Sequence, residues 1–117
     1  MSRDFRLYLE DILESGTKIL GYTAHFSFEE FCSNPMAFDA VLYNLEIIGE
    51  AAKNLPPDIR SRCPEVDWRK IAGLRDVIAH EYFGLEKETL WDIVQHKITP
   101  LLEKVKHILD TEGKGIS

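Results

Sequence analysis

Apolar residues recur every three or four positions along most of this chain, the spacing that gathers them on one side of an α-helix. In DFRLYLEDILESGTKIL, Phe5, Leu9, Ile12, Leu13, Ile19 and Leu20 share one stripe, and Gly21 is expected to end the helix. Ser27 and Glu30 then make a capping-box pair that predicts a short helical turn. Asn34-Pro35 interrupts that turn, and Pro35 suits the first position of the next helix. MAFDAVLYNLEIIGEAAKNL is the most apolar segment. Its broad stripe of Phe38, Val41, Leu42, Leu45, Ile48 and Ala52 places it at the centre of a bundle.

Pro56-Pro57 stops the central helix, and DIRSRCPEV reads as a loop with one helical turn. Asp67 is a good N-cap for a helix that opens at Trp68 and ends near Gly84. The last helix is expected from about Lys87 to Leu109, through Leu90, Ile93, Val94, Ile98, Leu101, Leu102, Val105 and Ile108, with a kink at Pro100. No strand-like alternation of useful length and no repeat interrupts the pattern. The predicted fold is all-α: an up-and-down bundle of four main helices plus one or two short ones. Residues 1–110 form its one domain and 111–117 a flexible tail.

Composition narrows the class. At 117 residues, 44% hydrophobic and 29% charged, the chain is long enough for a core without disulfides and too apolar to be disordered. Cys32 and Cys63 lie in no CxxC or Cys/His cluster, which argues against both a zinc site and a secreted disulfide scaffold. The charged N-terminus is unlike a signal peptide, and no apolar run approaches the roughly 18 residues that span a bilayer. The cytoplasm is the expected location, with no membrane partner. A net charge of −6 weighs weakly against nucleic-acid binding. Yet Arg60, Arg62, Arg69, Lys70 and Arg75 face only Glu65 and Asp67 between positions 60 and 75, a local balance of +3. A local basic patch and an ordinary mixed-charge surface both remain open. His25, His96 and His107 read as surface residues, and Trp68 and Trp91 as core or interface anchors.

The chemistry concentrates in GLRDVIAHEYFG, where core-forming residues alternate with Arg75, Asp76, His80 and Tyr82. At about 100° per residue, Arg75 and Tyr82 share a face, and Asp76 stands one turn from His80, where a carboxylate could orient an imidazole. Arg75 and His80 are separated by about 140°, so one straight helix does not aim both at one point. The segment has no metal-ligand spacing, phosphate loop or nucleophile elbow, and no cofactor is expected. A permanent cation and a side chain that titrates near neutrality suit metal-free phosphodiester cleavage. Histidine takes the proton of a ribose 2′-hydroxyl, and a guanidinium stabilises the charged phosphorus centre. The same residues also allow a non-enzymatic helical dimer that serves only as a binding module.

Arg75, four residues, His80, one residue, Tyr82 resembles the Arg-x4-His-x-Tyr signature of HepT-like ribonuclease toxins of the HEPN superfamily. NLEIIGEAAKNLP, PEVDWRKIAGLRDVIAHEYF and LWDIVQHKITPLLEKV follow in similar order and spacing, so the resemblance covers nearly the whole chain. It implies a helical homodimer whose active site lies at the dimer interface, with Arg and His from both subunits. It implies a metal-independent endoribonuclease toxin, paired with a minimal nucleotidyltransferase antitoxin that attaches AMP to the motif tyrosine. Carried over, Arg75 and His80 are catalytic and Tyr82 is modified. Asp76, Asn44 and Glu50 are candidates to line the cleft, with a structural role the stronger expectation for Asn44 and Glu50. An AMP group on Tyr82 would place a bulky anion beside His80, where an RNA phosphate must sit.

Overall fold

Every regular element among the described residues is helical, and the caps that the sequence encodes set most of the boundaries. The structure is a computed structural model that describes residues 4–81 and 86–116, without the side chains of Ala79, Glu81 and 112–116. Helix α1 (Phe5–Thr23) is capped by Asp4, whose carboxylate accepts from the Arg6 amide at 3.0 Å. Helix α2 (Phe28–Cys32) begins with the full Ser27–Glu30 capping box, both reciprocal bonds at 3.1 Å. Helix α3 (Pro35–Lys53) has Asn34 as N-cap and Pro35 in its first turn. A single turn, α4 (Pro57–Arg60), leads to α5 (Trp68–Glu81), where the Asp67 carboxylate accepts from the Lys70 amide at 3.1 Å.

Two boundaries differ from the sequence reading. Helix α1 passes Gly21 and ends at Thr23, because Gly21 faces open space and a glycine costs a helix only about 1 kcal/mol. The last helix continues to Ile116 rather than stopping at Leu109, and Thr111 donates back to the His107 carbonyl at 2.8 Å. The expected disturbance near Pro100 takes a specific form. Helix α6 (Lys87–Asp92) passes through a π-helical turn (Ile93–Lys97) into α7 (Ile98–Ile116), and the Ile98 amide donates to the Ile93 carbonyl five residues back. Pro100 has no N–H for the His96 carbonyl and its ring crowds that carbonyl, so the helix widens one turn upstream.

The core is the predicted one. Leu9, Ile12 and Ile19 of α1, Val41, Leu42, Leu45 and Ile48 of α3, and Val94, Ile98, Val105 and Ile108 of the last helix are all buried. Helix α3 lies between α1 and α5, α7 packs on α1, and α2 rests against α3 and α6. The central position expected for α3 is therefore the observed one. Phe31 is fully buried beside Phe38 and Trp91, while His25, His96 and His107 are exposed. Trp68 is buried too, its indole N–H donating to the Cys63 carbonyl at 3.2 Å. Lys87 fixes the start of α6: its ammonium donates to the Cys32 carbonyl at 3.0 Å and stands 5.7 Å from the Phe38 ring centre. No described helix is long and apolar enough to cross a membrane.

Candidate active site on the α3–α5 edge

Helix α5 finds its main packing partner in α3, which leaves much of its circumference uncovered. Ile78 is its buried anchor, with Ile71, Ala72 and Leu74 partly buried against the core. By helical arithmetic Arg75 flanks that packed side, about 60° from Ile78, and His80 lies about 160° from Ile78 on the opposite side. The structure agrees: Arg75 is half-buried and His80 is exposed.

What holds Arg75 is an ion pair across the helix–helix contact, its Nη1 2.8 Å from Oε2 of Glu50 on α3. Oε2 is buried and receives no well-aligned hydrogen bond, so the attraction is ionic more than directional. The other carboxylate oxygen, Oε1, accepts from the Asn54 amide at 3.3 Å, and the same amide donates to the Glu50 carbonyl at 2.9 Å. Asn54 therefore holds Glu50, and Glu50 faces Arg75. Both partners keep more than two-fifths of their side-chain surface exposed, 43% for Arg75 and 47% for Glu50. At that exposure the pair contributes only about 0–1 kcal/mol to stability, and its chief effect is to aim the guanidinium. Arginine has five N–H donors, so contact through Nη1 leaves others for a ligand phosphate.

Gly49 makes this contact possible. A Cβ built there would lie 3.0 Å from the Arg75 amide nitrogen and 3.1 Å from the Ile71 carbonyl oxygen. Only a residue without a side chain lets the two helices approach so closely. The sequence reading placed Glu50 among the cleft candidates but missed its pairing with Arg75. The available signal was a glycine inside an apolar helix, which usually marks a close approach.

The other candidates fall in different places. Asn44 is buried, and its amide donates to the Ala40 carbonyl at 2.8 Å within α3 itself. Its direction differs from that of Glu50 by about 120° around the helix. Asp76 is exposed, and among the described residues it makes no hydrogen bond or ion pair with His80, although the two stand one turn apart. Both residues are exposed on the open side of α5. Tyr82 lies outside the described residues. Nor does one chain bring Arg75 and His80 to a common point, since the first faces α3 and the second faces away.

Apolar side chains are exposed on both helices, those of α3 in line with Glu50 and that of Val77 on α5 about 160° around the axis from Arg75. Met36 is 80% exposed, Tyr43 66% and Val77 39%. Met36, Tyr43 and Glu50 are spaced by seven residues, so on α3 one exposed stripe runs directly into the Glu50–Arg75 pair. Among the described residues, no group of three or more His, Cys, Asp or Glu is placed to hold a metal ion.

The comparisons with known proteins agree with this picture. The model of the ribonuclease HepT-like family matches residues 12–108. A provisionally named RNase of Methanocaldococcus jannaschii is 41% identical over 113 residues, covering 96% of this chain and 93% of its own. Another from Caldanaerobacter subterraneus is 41% identical over 107 residues, 92% of this chain and 96% of its own. A protein of Thermococcus cleftensis, provisionally named ribonuclease HepT, is 40% identical over 108 residues, 92% of this chain and 98% of its own. No solved structure matches the chain. With a family model spanning most of its length and relatives aligned nearly end to end, the chain belongs to the ribonuclease HepT-like family.

Proposed function

We propose that this protein is a metal-independent endoribonuclease toxin, acting as a homodimer with Arg75 and His80 as its catalytic residues. The observation that carries the reading is the aimed guanidinium: Arg75 is held by Glu50 at the end of an exposed stripe of α3, on the same helix as an exposed histidine. In the reaction His80 takes the proton from a ribose 2′-hydroxyl, and the 2′-oxygen attacks the neighbouring phosphorus. The bond to the 5′-oxygen breaks, and a protonated histidine supplies the proton for that leaving oxygen. Arg75 donates to the non-bridging oxygens, where negative charge accumulates. The products are a 2′,3′-cyclic phosphate and a 5′-hydroxyl.

A second copy resolves the divergence of Arg75 and His80. If two α3–α5 edges meet through Met36, Tyr43 and Val77, the arginine of one protomer can share a cleft with the histidine of its partner. The open side of α5 and the exposed apolar residues support that assembly. Control follows from position. A minimal nucleotidyltransferase antitoxin attaches AMP to Tyr82, two residues from His80, and the added anion then blocks the RNA phosphate by bulk and by charge.

The product ends test the chemistry. RNA fragments should carry cyclic phosphate and 5′-hydroxyl ends, and a single 2′-deoxy substitution 5′ to the scissile phosphate should prevent cutting there. Cleavage of the deoxy-substituted bond would rule out attack by the 2′-hydroxyl.

A further inference from the structure

Beyond the α3–α5 edge, an open depression lies where α4 meets the start of α5. It encloses about 610 Å3 and is lined by Arg60, Ser61, Glu65, Asp67, Trp68 and Arg69, with flanking prolines and Val66. Its charges look balanced, but they are not equally available. Glu65 is occupied by Lys104 at 3.0 Å, and Asp67 caps α5. Arg60 and Arg69 have no ion-pair partner among the described residues. The Arg60 Nε is buried and makes no hydrogen bond. That atom is closed to a ligand, but the terminal nitrogens of Arg60 and the exposed Arg69 keep donors that suit phosphate oxygens.

The relation of this depression to the motif is set by α5. Arg69 and His80 are eleven residues apart, about 16 Å along the axis and within about 20° around it. Gly73 lies on the same side between them, and a Cβ built there would meet nothing within 4 Å. Between the histidine and the arginines this face carries Gly73, with the exposed Asp76 on one side of the line and the exposed Val77 on the other. Among the described side chains of α5, Asp76 is the carboxylate beside this line, about 20° from Arg69 and 40° from His80 around the axis, and it biases an anionic strand toward the glycine side.

We infer that Arg60 and Arg69 form an outlying phosphate subsite that grips an RNA strand a few nucleotides from the scissile bond, the strand crossing α5 over Gly73. The inference rests on the ribonuclease reading above and assigns the substrate as a strand long enough to reach from His80 to the depression. It also explains how an acidic protein holds RNA: the contact is local, where the charge is positive.

The full chain is titrated with 2′-O-methyl oligoribonucleotides, which lack the attacking hydroxyl, of two and eight nucleotides, by fluorescence anisotropy at several salt concentrations. For Arg60→Gln/Arg69→Gln, octamer affinity should fall roughly tenfold, and the salt dependence should weaken by about 1.4, or about 0.7 for each lost phosphate contact. Dinucleotide binding, and cleavage of the unmodified dinucleotide, should stay within about twofold of the parent. Unchanged octamer affinity and salt slope would overturn the subsite, and so would an equal loss for the dinucleotide. Should circular dichroism show the double variant misfolded, Arg69→Gln alone must still remove about half of the slope change. Arginine-dependent binding of AMP tighter than that of the octamer would assign the depression to a free nucleotide and overturn the strand assignment. Length-dependent octamer binding by a protein that cuts no RNA would sink the ribonuclease reading and leave the subsite standing. Cutting with an unaltered octamer slope in the double variant would do the reverse.

Discussion

At the scale of single residues, the account depends on how Arg75 is aimed. Replacing Glu50 by Ala removes the carboxylate that faces the guanidinium at 2.8 Å. It should lower kcat by about ten- to a hundredfold, since small misplacements of a catalytic group are expensive. The thermal midpoint should barely move, because an exposed pair is worth only about 0–1 kcal/mol. A large stability loss with normal kcat would make Glu50 a structural residue. Arg75→Lys keeps the charge but loses the planar fork, and kcat should fall about 10²–10³-fold. In the sequence, residue type singled out Arg75 and His80, but their roles came from the family resemblance, since spacing sets them about 140° apart. Glu50 was only a candidate, because its partner lies 25 positions away and periodicity carries no information about contacts between helices. Asp76 stands one turn from His80, and among the described residues no hydrogen bond or ion pair joins the two.

At the scale of elements, Gly49 and the α4–α5 connection do the positioning. Gly49→Ala would force a Cβ to 3.0 Å from the Arg75 amide, where only backbone can give way. Overpacking of this kind costs about 1–3 kcal/mol, so denaturation should show a destabilised protein whose activity falls with the displacement of α5. An unchanged midpoint would contradict the close approach. The α4–α5 connection is tied to α7 by Glu65 and Lys104 at 3.0 Å. Hydrogen bonding to Lys104 holds the Glu65 carboxyl below the usual carboxylate range. A lowered folded-state value means that the stabilisation is present above the ordinary glutamate range, about 4.3, and is lost as pH falls through the lower folded value. Lys104→Met should therefore flatten that part of the acid limb in stability measured against pH. A variant with the same acid limb as the parent would show the pair to be inert. Most elements were legible because caps and breakers are local: Ser27–Glu30, Asn34-Pro35 and Asp67 act within one turn. The π-helical turn at Ile93–Lys97 was not, since Pro100 announces a disturbance but not the form it takes.

At the scale of the whole molecule, an all-α bundle with α3 at its centre follows from the apolar stripes, and the HepT-like family membership agrees with it. What the pattern could not show is that α5 leans mainly on α3 and that Met36 and Tyr43 stay exposed on α3 in line with Glu50. Amphipathic periodicity identifies a buried side without saying which surface covers it. On the proposed reading a second copy covers these side chains, and Tyr43→Glu should shift the protein toward monomer in analytical ultracentrifugation, with activity falling in parallel. A parent protein that is monomeric at working concentration would remove the dimer from the account.

The central claim is that a histidine and an arginine on α5, without a metal, cut RNA. The most direct measurement incubates the purified protein with RNA in excess EDTA and compares the parent with His80→Ala, each shown to be folded by circular dichroism. The account predicts cleavage by the parent that EDTA does not diminish, and a fall of about 10²–10⁴-fold in the variant. Cleavage that EDTA abolishes, or that persists undiminished in His80→Ala, would contradict it.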